Sequence, residues 1–174
     1  RDYLLGRGLR AEVLREAGVG VAEAGVGLDA GVLKRRSLAG RVIIPIGERA
    51  VLGWVSRDYT GRAERPYLYS RGMTRDRLYN DGALAVSTDR PVYVVEGVLD
   101  ALALWPDAVA VFGKPLEAHV EPLVRAKRPV VFVLDGDAWQ EGWAWGMKLR
   151  FLGQRSGSVR LEARVDPDEV DRVA

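Results

Sequence analysis

From residue 91 onward, short apolar runs alternate with stretches of helical period. Val92-Tyr-Val-Val95, then 109–112, 130–134 and about 158–162, read as strands. Residues 98–105, 116–126 and 138–152 read as the helices between them. The strand runs show little apolar–polar alternation. That is the pattern of strands buried on both faces, so it predicts a parallel sheet covered by helices. The first half of the chain has a different rhythm. A short helix over Tyr3–Leu9 ends near Gly6 or Gly8, and a second over 11–17 stops at Gly18. Gly25–Gly31 is rich in turn formers, and Val32–Leu38 predicts another short helix. Residues 41–46 predict a strand whose Pro45 marks an edge or an end. A turn at 47–50 and a returning strand at 51–57 complete a hairpin, and 66–69 is extended. Leu78-Tyr79 then meets the turn signal Asn80-Asp-Gly82. The predicted class is α/β: a parallel sheet with flanking helices over 90–174, preceded by a smaller mixed α+β subdomain over 1–89.

Charge sharpens this division. Residues 1–89 hold 15 Lys and Arg against 11 Asp and Glu, while residues 90–174 hold 11 against 13. Within 34–77 the ratio is 11 to 4. A basic front half and an acidic back half suit a phosphate-rich polymer handled together with metal ions. A solvated surface in an Arg-rich protein explains the same pattern, since only four of the 26 basic residues are Lys. The chain has no Cys and one His, His119. Disulfides, zinc–thiolate sites and thiol nucleophiles are excluded, as are triads with more than one His. No apolar run approaches the length of a membrane span and no signal peptide is visible, so a cytoplasmic protein with no membrane partner is expected. The chain starts at Arg1 rather than Met and is read as a fragment or a processed product.

The acidic residues are placed where chemistry is expected. Glu96 follows the 92–95 strand, and Asp135-Gly-Asp137 follows the 130–134 strand. The carboxyl ends of parallel strands are where α/β sheets bind their ligands. Carboxylates gathered there repel one another unless a hard divalent cation lies between them, and the usual companion of such a cation is phosphate. Asp100 follows Glu96 by four positions across a turn that Gly97 permits, so it either joins the cluster or sits on a solvated helix. Asp137 is a further ligand or a cap on the next helix. Asp166-Pro-Asp168-Glu169 adds acids or opens a terminal helix.

This constellation resembles the TOPRIM domain, in which a Glu after one strand and Asp-x-Asp after a later one coordinate Mg²⁺. Glu96-Gly-Val-Leu-Asp100 is similar to the Glu-Gly-Tyr-Met-Asp stretch of bacterial-type DNA primases, and Asp166-Pro-Asp-Glu169 to their Asp-Pro-Asp-Glu. Tyr3-Leu4 with Arg7-Gly-Leu9, Gly40-Arg-Val-Ile-Ile-Pro-Ile46 and Tyr67-Leu-Tyr-Ser70 resemble the primase core ahead of its TOPRIM part. The departures are Pro66 where the family often has Lys, Phe112-Gly-Lys-Pro115 in place of Leu-Gly-Thr, and Trp139 where Gly usually follows Ala138. They favour a phage, plasmid or prophage relative over a replicative housekeeping primase.

The resemblance implies a primase catalytic core that makes short RNA primers on single-stranded DNA by two-metal nucleotidyl transfer. Glu96, Asp135 and Asp137 are the implied catalytic residues. Together with Asp100, Asp166 and Asp168 they are the implied ligands of Mg²⁺ or Mn²⁺. Arg41, Arg57, Arg62, Arg65, Arg71, Arg75, Arg77 and Lys114 are the candidates for holding template phosphates and nucleoside triphosphate. A replicative helicase, or a linked helicase domain, is the implied partner. A metal-dependent TOPRIM nuclease and a non-catalytic nucleic-acid-binding module are the alternatives. Two further expectations concern packing: His119 on a helix surface, and Trp139, Trp143 and Met147 as a core stripe.

Overall fold

The computed structural model describes residues 2–22, 38–47, 52–73, 76–113 and 115–162. These fall into two compact units, Arg1–Gly6 with Arg10–Thr74 and Arg7–Leu9 with Arg75–Ala174.

The first unit holds helices α1 (Asp2–Gly6) and α2 (Ala11–Glu16) and an antiparallel sheet. Its strands β1 (Gly20–Ala22), β2 (Arg41–Ile46), β3 (Gly53–Asp58) and β4 (Tyr67–Tyr69) lie in that order across the sheet. Val42, Ile44, Ile46 and Val55 are buried on one side of the hairpin. The pattern of alternating apolar residues predicts β2 and β3 well. It gives no sign of β1, whose three residues are too few to show a period and which gains its order by pairing Gly20 to Ile43 and Ala22 to Arg41. Pro45 lies beyond the reach of β1, where a missing N–H leaves no gap in the ladder.

Two buried charges fasten the loop between β3 and β4. Asp58 accepts hydrogen bonds from the Thr60 amide and hydroxyl at Oδ1 and from the Ala63 amide at Oδ2. Arg41 donates from Nη1 to the Pro66 carbonyl at 3.1 Å and from Nη2 to the Arg65 carbonyl at 2.8 Å. Burial by itself raises the pKa of Asp58. The Thr60 hydroxyl, the two loop amides and the Arg41 charge outweigh it and hold the carboxyl below its ordinary value.

The second unit is built on a parallel sheet in the order β6-β5-β7-β8. Its strands are β5 (Val92–Val95), β6 (Ala108–Ala110), β7 (Val130–Phe132) and β8 (Ser156–Ser158). Helix α3 (Val98–Ala103) joins β5 to β6. A 3-10 turn (Leu116–His119) and α4 (Val120–Val124) lead to β7, and α5 (Trp139–Phe151) leads to β8. The α/β architecture with a parallel sheet and flanking helices is therefore as the hydropathy predicts. Residues 76–90 pack with this unit, because Leu78, Ala83 and Leu84 sit in its core beside Val92, Val109 and Phe132. The compact units thus divide near residue 75, where the hydropathy pattern changes at 90. Tyr79 bridges to Ala110 at the sheet edge, and burial pushes its phenol well above the usual range.

At the amino edge of the parallel sheet, Arg128 acts as a clamp. Its guanidinium donates to the carbonyls of Arg90 (2.9 Å) and Pro91 (2.7 Å), just before β5, and to Asp107 Oδ1 (2.6 Å), just before β6. Its own chain position lies just before β7. Three strands are thereby indexed against one side chain, which is 2% exposed. Gln154 extends the same logic, reaching from the end of α5 to the carbonyls of Leu123, Ala126 and Arg128.

Helix α5 meets β8 through glycine, while Trp145 and Leu149 on the same buried face fill the core. A Cβ on Gly146 would lie 3.1 Å from the backbone of Gly157 in β8, so a larger residue would push helix and strand apart. Ser156 Oγ donates to the Gly146 carbonyl at 2.7 Å. The buried face is Gly142, Trp145, Gly146 and Leu149, while Trp143 is 57% exposed, Met147 48% and Phe151 91%. The expected core stripe of Trp139, Trp143 and Met147 is therefore corrected. Close contact with Ser156-Gly-Ser158 selects the glycine face and turns the larger residues outward. The same contact places β8 at Ser156–Ser158, starting two residues before the strand expected at about 158–162. His119 is also corrected from surface to fully buried.

Three tests follow from this packing. Arg128→Met should destabilise the protein by about 3 kcal/mol in urea unfolding, because it leaves the mostly buried Asp107 without its inner partner; a loss below half that would remove the clamp role. Gly146→Ala should cost about 1–3 kcal/mol through overpacking against Gly157, and unchanged stability would refute the close approach. Because its folded pKa lies below the unfolded 3.8, Asp58 stabilises the fold at pH above that value and loses the contribution as pH falls through the folded value. Asp58→Asn should accordingly melt earlier than wild type at pH 7, with the gap closing in acid; a gap independent of pH would contradict the carboxylate's role.

Candidate active site

The strand order puts β5 and β7 side by side, with the connections leaving them to opposite sides of the sheet. A crevice opens at the carboxyl ends of the strands at such a switch point. Glu96 follows β5 directly and Asp135 lies three residues past the end of β7, so the sheet brings these two acids together. The Asp135 amide donates to Glu96 Oε1 at 3.4 Å, and both residues are half-buried. The Asp135 amide dipole thus faces the Glu96 carboxylate.

Asp100 is held from the other side. Its Oδ2 accepts the Gly97 amide at 3.1 Å and so satisfies an otherwise unpaired donor at the start of α3. A Cβ at Gly97 would lie 2.6 Å from that same oxygen, so a larger residue there would displace the Asp100 carboxylate from the amide it caps. The capping role is the one the geometry displays for Asp100. Asp137 does not cap α5: the N-cap is Ala138, with no side-chain hydrogen bond, and Asp137 is exposed. Asp137 lines an open pocket with Trp139, Gln140, Arg160 and Glu162. Asp166 and Asp168 lie outside the described residues.

Among the described residues, no three His, Asp or Glu side chains are grouped so as to hold a metal ion. The donor set is nonetheless suited to Mg²⁺ or Mn²⁺. Mg²⁺ keeps most of its waters and takes one or two protein carboxylates plus phosphate oxygens, so a pair of hard oxygen donors at adjacent strand ends fits it. A cation held entirely by protein would need more than Glu96 and Asp135 provide.

The basic candidates separate by environment. Arg41 is buried and its guanidinium is committed to the β3–β4 loop. Arg57 is half-buried, donating to the Tyr3 hydroxyl at 3.2 Å and lying 4.6 Å over the Tyr67 ring. Arg62, Arg65 and Arg71, in the first unit, are exposed, as is Arg77 in the second. Arg75 and Lys114 lie outside the described residues. Asp58 is the residue that sequence reasoning missed in this region. It lies at the end of a strand and carries no motif, yet it shapes the loop that displays Arg62 and Arg65. Arg160, beside Asp137, was missed for the same reason. Among the described residues no helix is long and apolar enough to cross a membrane.

No family model matches the chain. The chain is 29% identical over 98% of its length to DNA primase of Pseudomonas putida, and equally so to DNA primase of Pseudomonas aeruginosa. It spans about a third of the length of these curated relatives, 32% in each. The alignment runs over 214 positions, more than the 174 residues present, so within the matched stretch the relatives carry segments that this chain lacks. The fold is similar to the DnaG primase catalytic domain bound to single-stranded DNA, with a TM-score of 0.75 and 28% identity, covering 99% of this chain and 67% of that one. It is also similar to the zinc-binding and RNA polymerase domains of the Aquifex aeolicus primase, with a TM-score of 0.77 and 22% identity, covering 99% and 52%. The chain is thus similar in sequence to DNA primases along nearly its whole length, and its fold is that of the DnaG primase catalytic core.

Proposed function

We propose that this chain carries the nucleotidyl-transfer site of a DNA primase, which joins ribonucleotides on a single-stranded DNA template. The observation that carries the reading is the adjacency of Glu96 and Asp135 at the switch point of a parallel sheet whose fold is that of primase cores. Acids of this kind would serve cleavage as well as synthesis. The similarity to primases along nearly the whole chain favours synthesis.

Glu96 and Asp135 would hold Mg²⁺ or Mn²⁺, with Asp137, two residues on in the same turn, as a further candidate ligand. A divalent cation bound there supplies charge neutralisation to phosphate oxygens and eases ionisation of an attacking 3′-hydroxyl. The protein's own part is positional. The β5 and β7 ends fix the acids, and Asp100 pins the turn that aims Glu96. Exposed arginines of the first unit, Arg62, Arg65 and Arg71, would take template phosphates, a contact that weakens as salt rises. A helicase partner, known for one neighbour of similar fold as the primase fragment of a bacteriophage T7 primase-helicase, is part of the same reading.

Metal binding is the first measurement, because the chain spans only part of its relatives. Calorimetric titration with Mn²⁺ should give a signal that falls at least about tenfold in affinity in Glu96→Gln and Asp135→Asn. Template-dependent ribonucleotide incorporation should fall about a hundredfold or more in the same variants. Unchanged incorporation in both would defeat the proposal, and shortening of the DNA in place of chain growth would convert it to a nuclease.

A further inference from the structure

The pocket beyond β7 and β8 contains an arginine that neither the primase reading nor the acid pair uses. The Arg160 guanidinium lies 4.6 Å over the ring of Trp139, the first residue of α5. Arg160 is exposed, and among the described residues no carboxylate or carbonyl pairs with it. A guanidinium laid on an aromatic face is oriented and partly desolvated, with the N–H donors on its edge left open. That arrangement suits two-pronged recognition of phosphate. The uncapped amino end of α5 opens on the same pocket and adds partial positive charge.

The pocket also holds Asp137 and Glu162, so its charge is mixed. A bare anion would meet two carboxylates for one arginine. A phosphate chain that arrives with its own divalent cation does not, since the cation faces the acids and the outer phosphates face Arg160. We propose that Arg160, resting over the Trp139 ring, binds the phosphate chain of a metal-chelated nucleoside triphosphate and so positions it beside Asp137. This rests on the nucleotidyl-transfer reading above and adds to it the side chains that select the triphosphate. Trp139 and Arg160 work as a pair: the ring sets the plane of the guanidinium, and Asp135-Gly-Asp137 connects the pocket to the Glu96 crevice.

The test is equilibrium binding of a non-hydrolysable nucleoside triphosphate in Mn²⁺, followed by calorimetry on wild type, Arg160→Ala, Arg160→Lys and Trp139→Ala. Affinity should fall about tenfold or more in Arg160→Ala, and severalfold in Arg160→Lys and Trp139→Ala, with Mn²⁺ affinity in the absence of nucleotide unchanged. Melting temperature, read on the same samples, separates this from a folding defect; Arg160→Lys serves if the alanine variants melt early. Inorganic tripolyphosphate with Mn²⁺ should show the same loss, which assigns the contact to the phosphate chain. Loss confined to the nucleotide would assign it to base or sugar and overturn the proposal. Equal nucleotide affinity in wild type and Arg160→Ala overturns it too, while leaving the acid pair standing. Failure of wild type to bind Mn²⁺ alone defeats the acid-pair reading whatever Arg160 does.

Discussion

The position of every functional atom in the second unit depends on the register of its parallel strands, and Arg128 is where that register is fixed. Parallel strands have no hairpins to set their alignment, so something at one edge must index them. Arg128 does this with one buried guanidinium shared among Arg90, Pro91 and Asp107. With the amino ends aligned, strands of similar length end together at the opposite edge. There Val95 and Phe132 close β5 and β7, and Glu96 and Asp135 emerge side by side. A slip of one residue would move the whole apolar set of a strand and carry an acid away from its neighbour. The clamp and the acid pair therefore occupy opposite ends of the same strands, with stability concentrated at one and the proposed chemistry at the other.

A comparable division shapes α5. The helix spends its smallest residues on the sheet, because Gly142 and Gly146 allow the axis to come close enough for Ser156 to reach the Gly146 carbonyl. Close packing of β8 under this helix is what brings Arg160, two residues past the strand, level with Trp139 at the start of the helix. In this way a backbone requirement in the middle of α5 sets the geometry of a side-chain pair at its end. The large apolar residues displaced to the outer face, Trp143, Met147 and Phe151, are a direct consequence of the same choice.

Much of this was legible in the chain, for physical reasons that differ by element. Val92–Val95 and Val130–Phe132 were readable because strands buried on both faces must be apolar throughout. The adjacency of Glu96 and Asp135 was readable because each follows such a strand closely and the two strands pair. β8 was not, because Ser156-Gly-Ser158 is selected for smallness against Gly146 and carries no apolar signal. The orientation of α5 was not, because a hydrophobic stripe predicts burial only when nothing smaller competes for the contact. Arg41 and Arg62 look alike in sequence, both arginines in a basic stretch. Only the fold of the β3–β4 loop reveals that one is an internal brace and the other a surface charge. The resemblance to primases was legible in part because Glu96-Gly-Val-Leu-Asp100 and Asp135-Gly-Asp137 sit at strand ends and turns, where backbone geometry restricts the residues allowed.

That last contrast bears on how charge works in the first unit. A basic segment is commonly read as a uniform field for nucleic acid, yet its arginines here do different things. Arg41 is paired inward beside Asp58, and Arg57 is braced by Tyr3 and Tyr67. Such contacts remove charge from the surface but rigidify the loop that carries the exposed Arg62 and Arg65. A flexible loop would lose conformational entropy each time its arginines engaged a phosphate chain, while a braced loop has already lost it on folding. Under the proposed function, the buried Arg41 and Asp58 would contribute to phosphate recognition without touching phosphate, by fixing in advance where the exposed guanidinium groups stand.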